Sequence, residues 1–86
     1  MSYNHKVCLK QEVLNEYAAE VCAFIYRNEH YGNLVMTDEL KALEHEAYAL
    51  KNKIIPQSSI EPLEEIECRL QEIHDIFKEK APEPHL

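Results

Sequence analysis

With 86 residues and a net charge of −7, the chain is one small domain that lacks the excess of Lys and Arg needed to grip nucleic-acid phosphates or anionic lipid. An apolar fraction of 45%, one glycine and no tryptophan exclude a turn-rich β design and general disorder. Three cysteines (Cys8, Cys22 and Cys68) without CxxC spacing are not a disulfide framework, and point to reduced thiols in a cytoplasmic setting.

The first predicted helix runs from about Lys6 to Asn28, with Ser2 or Asn4 available as an N-cap. Gly32 or Asn33 is expected to take the left-handed conformation that often closes a helix. Leu14, Tyr17, Val21, Phe24 and Asn28 follow the alternating helical spacing, and Val13, Ala18, Cys22 and Ile25 flank them. So broad an apolar arc predicts a helix packed on two sides, as the centre of a bundle or as a homodimer surface. Its most apolar stretch, Tyr17 to Tyr26, includes Glu20 and is too short for a bilayer. The segment Met-Ser-Tyr-Asn-His-Lys at the start has no apolar signal-peptide core.

Helix 2 begins at Thr37, a good cap, with Asp38 and Glu39 in the first turn where the helix dipole favours negative charge. Its stripe is Leu40, Leu43, Ala47, Leu50 and Ile54, and Pro56 stops it. Helix 3 starts after Ser58 or Ser59, tolerates Pro62 only within its first turn, and carries Leu63, Ile66, Leu70, Ile73 and Phe77. Lys78 and Lys80 close it, and Glu65 with Arg69 forms an i, i+4 pair. If the two helices are antiparallel, facing positions sum to about 117, give or take one turn, which sets Ala47 opposite Leu70. The expected fold is therefore all-α: a small three-helix bundle with an antiparallel helix 2–helix 3 hairpin of coiled-coil type. Residues 1–80 form the domain and 81–86 a flexible tail.

Catalytic patterns are missing. Ser2, Ser58 and Ser59 sit at caps or at the start of the chain, and one glycine cannot build a phosphate-binding loop. His5 and Cys8 share a helical face but lack the second pair of ligands that zinc requires. His45 and His74 fall at outer heptad positions, where solvated side chains are expected. Cys22 reads as a small core residue. Cys68 lies among Glu64, Glu65, Glu67 and Glu72, whose charge suppresses a thiolate. No enzyme activity, cofactor or metal site is expected; a metal or redox sensor would need His5, Cys8 or Cys22 to matter.

Interaction with another protein remains, as an adaptor, regulator or inhibitor. Tyr3, Tyr26, Tyr31 and Tyr48 do not all fit inside so small a bundle. Tyr and Arg are enriched at protein-binding hot spots, so the expected surface is helix 1 and its following turn: Tyr17, Phe24, Tyr26, Arg27, His30 and Tyr31. Homodimerisation through helix 1 accompanies this reading. The alternative uses the acidic face of helix 3 (Glu61, Glu64, Glu65, Glu67, Glu72 and Asp75) to imitate nucleic-acid phosphates and occupy a basic groove on a partner.

Overall fold

Helix α1 spans Ser2–His30, α2 Asp38–Asn52 and α3 Ile60–Lys80. The computed structural model describes residues 2–81, with side chains from His5 onward. The expected caps at Ser2 and Asn4, the exposure of Tyr3 and the tail beyond Ala81 lie outside the described side chains. The predicted all-α bundle is what the chain forms. Among the described residues no helix is long and apolar enough to cross a membrane.

Local chemistry places the boundaries. The Thr37 backbone is extended, and its hydroxyl oxygen accepts the Leu40 N–H at 3.1 Å, so α2 starts as its cap and acidic first turn dictate. Ser59 occupies the corresponding position before α3 without a side-chain capping bond, and Pro62 falls in the first turn. The end of α1 corrects the sequence reading. No described residue has a positive φ, so neither Gly32 nor Asn33 adopts the left-handed conformation. Instead the Tyr31 and Gly32 N–H groups both donate to the Arg27 carbonyl, at 2.8 and 2.9 Å. Asn28 turns back to donate its side-chain amide to the Phe24 carbonyl at 2.9 Å. A Cβ on Gly32 would lie 3.0 Å from the Asn28 carbonyl oxygen, so glycine serves this tight closure by its small size.

The three helices run up, down and up. Lys10 bonds to Glu67 and Tyr17 to His74, both 57 residues apart, so α1 and α3 are parallel and in step. Glu46 bonds to Arg69, positions that sum to 115 (46 + 69), within a turn of the expected antiparallel register. The Gln11 amide fastens the α2–α3 connection to α1 by donating to the carbonyls of Ile55 at 3.0 Å and Gln57 at 2.6 Å. At 29 residues α1 is about 43 Å long. The radius of gyration is accordingly 14.1 Å, against roughly 12 Å for a compact chain of this length.

All five stripe residues of α3 are buried, as are Leu40 and Ala47 of α2 and Ile54 in the turn just beyond it; Leu43 and Leu50 pack at the edge. On α1 the buried line is Leu14, Ala18, Val21 and Ile25, joined by Val7 and Cys22. Tyr17 and Phe24 are only partly buried, and Val13 remains 65% exposed. The core line of α1 is thus rotated from the expected one, because this helix lies in the groove between two others and presents its centre to both. Among the described residues no buried side-chain nitrogen or oxygen lacks a hydrogen bond.

Ala47 is fully buried, whereas Ala42, one and a half turns earlier, is exposed. Ala47→Trp is expected to cost at least about 3 kcal/mol by overpacking, read as a large fall in the urea midpoint. Ala42→Trp should stay within about 0.5 kcal/mol of the parent. Equal midpoints for the two variants would refute the packing of α2.

Candidate functional site

The C-terminal end of α1 gathers exposed aromatic and basic groups. Residues four apart on a helix face the same way, which sets the Tyr26 ring 4.3 Å from that of His30. Tyr31, just beyond the helix, brings its ring to 6.2 Å from Tyr26 and is 79% exposed. Arg27 lies on the same exposed end, and its guanidinium makes no ion pair among the described residues. The linker that follows alternates in burial: Leu34 is buried and Met36 partly buried, while Val35 between them is 77% exposed. Lys80, at the end of α3, borders the same linker beside Leu34 and Val35.

Four of the six residues expected at a partner surface, Tyr26, Arg27, His30 and Tyr31, are therefore together and outward-facing. The other two are elsewhere. Tyr17 and Phe24 line the seam between α1 and α3, where their rings meet the His74 ring edge-on at 5.9 and 5.1 Å. The Tyr17 hydroxyl lies 3.2 Å from His74 Nδ1. His74 is thus not the solvated surface side chain that heptad counting predicts, because α1 covers its side of α3. Burial pushes its pKa below the ordinary value of 6.5, aided by Lys78 and opposed by Asp75 and Glu20. His45 is exposed, as expected.

The sequence reading missed four exposed apolar groups, among them Ile55 in the α2–α3 connection, 63% exposed. Val35 carries no helical periodicity. Leu9 and Val13 lie one turn apart on the outer face of α1, although periodicity places Val13 on the flank of the core stripe.

On α3, half of the acidic array is tied up in ion pairs. Glu67 accepts from Lys10 at 2.6 Å, Glu72 from Arg69 at 2.9 Å, and Asp75 lies 3.7 Å from Lys78. The expected Glu65–Arg69 pair does not form. Arg69 instead reaches across to α2 and grips both carboxylate oxygens of Glu46, at 2.6 and 2.9 Å. A planar guanidinium matches two oxygens at once, which outweighs a single-turn pairing. That grip holds the Glu46 carboxyl below the usual range. Glu61, Glu64 and Glu65 stay exposed beside a shallow depression that also includes Cys68.

Between α1 and α2, two carboxyl groups meet. Glu44 is hydrogen-bonded to Glu29, whose side chain is only 19% exposed. Burial, that hydrogen bond and the Glu29 charge all raise the Glu44 pKa, with His45 and Lys41 opposing. Cys22 is buried and its thiol pKa is raised, mainly by burial; Cys8 and Cys68 are exposed free thiols. His5 and Cys8 are both exposed, and among the described residues no group of three or more His, Cys, Asp or Glu side chains is placed to hold a metal.

The described residues thus form a small helical bundle with an exposed aromatic cluster at the C-terminal end of α1 and several polar groups bridging its helices. The chain belongs to the bacterial epsilon antitoxin family, whose model matches residues 2–80. Membership makes it a small protein that restrains a partner toxin through protein–protein contact. Comparisons with curated proteins and with solved structures give no match.

The Glu29–Glu44 pair yields a pH test. Because the native Glu44 pKa is raised, the pair is relaxed below pH 4.5 and becomes a penalty as pH rises through the native value. Glu44→Gln should therefore raise stability at pH 7 by about 0.5 kcal/mol, a gain that disappears near pH 4 in thermal melts. Glu16→Gln, on an exposed carboxylate of α1, serves as the control for net charge. A gain equal at both pH values would rule out the raised Glu44 pKa as its source.

Proposed function

We propose that the chain silences its toxin in the cytoplasm by masking it with the C-terminal end of α1 and the linker that follows, without catalysis or a cofactor of its own. Tyr26, Arg27, His30 and Tyr31 are the anchors, and Val35 extends them. The observation that carries this reading is the Tyr26–His30–Tyr31 ring cluster, held outward with Tyr31 79% exposed. Aromatic rings supply large contact area at little entropic cost, because only two torsions have to be fixed. Here Tyr26 and His30 already lie against each other, so part of that ordering precedes binding.

The second reading places the contact on the acidic face of α3, where Glu61, Glu64 and Glu65 would meet a basic groove on the toxin. It is the weaker one, since Glu67, Glu72 and Asp75 already have cationic neighbours in the folded chain. Homodimerisation through the outer face of α1 stands beside the first reading, favoured by Leu9 at 48% and Val13 at 65% exposure. Sedimentation equilibrium of the parent and of Val13→Glu examines it: a dilution-resistant monomer removes the dimer.

The deciding experiment is calorimetric titration of the cognate toxin with Tyr26→Ala/Tyr31→Ala and, separately, with Glu64, Glu65 and Glu67 changed to Gln. The aromatic variant should bind at least about thirtyfold more weakly, as loss of a hot spot of roughly 2 kcal/mol requires. The glutamine variant should bind as the parent does, with little dependence on salt. Unchanged affinity in the aromatic variant, together with steep salt dependence and loss in the glutamine variant, would move the contact to α3.

A further inference from the structure

Among the described residues His74 is the one imidazole seated in a helix–helix seam, and its contacts change character when it gains a proton. From α1 it faces the Tyr17 hydroxyl at 3.2 Å, the ring of Phe24 at 5.1 Å and the carboxylate of Glu20; from its own helix it faces Asp75 and Lys78. In the neutral ring, Nδ1 can accept the Tyr17 proton while Nε2 keeps its own. A second proton on Nδ1 removes that acceptor, so the hydroxyl must turn round, and a full charge is left in a half-buried space beside two aromatic rings. We propose that the Tyr17–His74–Phe24 cluster is a proton-sensitive latch that fastens α1 to α3 and loosens on acidification.

Its position gives the latch leverage. Tyr17 and Phe24 flank the buried line Ala18, Val21 and Ile25, so loosening the cluster frees the C-terminal half of the α1–α3 contact. On the other side of this segment, Gln11 and Lys10 hold the N-terminal half of α1 through the bonds to the α2–α3 connection and to Glu67. Neither of those fastenings includes a histidine. The expected result is an α1 whose C-terminal half separates first while its N-terminal half stays bound.

The direction follows from linkage. The native His74 pKa lies below 6.5, burial being the largest cause. Between the native value and the ordinary one, the unfolded chain binds more protons than the native chain. The latch is therefore fully closed above pH 6.5, and its stabilisation is lost as pH falls from there toward the native value. The opposing carboxylates, Glu20 and Asp75, limit the loss without reversing it.

Any consequence for the toxin rests on the proposed contact at the end of α1, so the test is made on the free chain, where the latch can fail while that contact stands. The probe is the proton itself. Ring signals of His74 are titrated by NMR, and melting midpoints of the parent and of His74→Phe are compared at pH 7.5 and 5.5. His74→Phe keeps a ring in the seam and removes the titration; Tyr17→Phe is the second variant, which removes only the hydroxyl. The expected outcome is a His74 midpoint below 6.5, a parent that loses several degrees relative to His74→Phe at pH 5.5, and amide-exchange protection that falls first over residues 18–30. A His74 midpoint at or above 6.5 would overturn the latch, as would a parent-to-variant difference that does not change with pH. If His74→Phe does not fold, the NMR titration of the parent and of Tyr17→Phe decides alone.

Discussion

The structure depends on α1 filling two grooves at once. A chain of 86 residues cannot build a thick core, so its longest helix has to bury one arc against both of the others. The arc centred on Leu14, Ala18, Val21 and Ile25 does this, and the absence of a side chain beyond Cβ at Ala18 lets the backbone come close. The polar fastenings lie on the margins of that arc: Gln11 to the α2–α3 connection, Lys10 to Glu67 and Tyr17 to His74. Apolar burial supplies the energy, and these directional bonds select one register among several that burial alone would accept.

That division explains which parts of the fold were legible in the sequence. The stripes of α2 and α3 were readable because each helix has one dominant direction of burial, and all five predicted residues of α3 are inside. On α1 two interleaved series share Leu14 and Val21. One continues through Tyr17 and Phe24, the other through Ala18 and Ile25. Periodicity scores them alike, and only the position of both neighbours selects the second. The same third body accounts for His74. Counted within the hairpin it is an outer position, yet α1 lies over it. Local rules failed where a longer reach was better satisfied: Arg69 leaves Glu65 for the two oxygens of Glu46. Gly32 does mark the helix end, but through close approach at ordinary φ rather than through a left-handed turn, a distinction that residue type alone does not make.

The candidate surface was half legible. Tyr26 and His30 are four apart and lie at a helix end, so their alignment needs nothing beyond helical geometry. Val35 could not be found in the same way. Its outward orientation is a consequence of Leu34 and Met36 turning inward along the linker, and that depends on the top of the core being where it is. Tyr17 and Phe24 have the composition of a binding surface and the position of a seam. Amphipathic rings suit both settings, so residue type alone does not distinguish them.

Charge and aromatic contact divide the task of meeting a partner in a way this fold makes explicit. A net charge of −7 acts over roughly 8 Å at physiological salt before it is screened, and biases which surfaces approach at all. It adds little once contact is made, because exposed ion pairs are worth at most about 1 kcal/mol. The carboxylates nearest the helix seams are already engaged: Glu46 with Arg69, and Glu67 with Lys10. Tyr26 and Tyr31 have the opposite character. They exert no field at a distance, but each exposes a ring that a partner pocket can desolvate, and Arg27 stands beside them without an internal ion pair among the described residues. Variation among related interfaces falls mainly on the dissociation rate, which is governed by desolvated anchors rather than by long-range charge. On these physical grounds the proposed contact at the end of α1 would set how long a complex lasts, and the acidic flank of α3 would act on the approach alone.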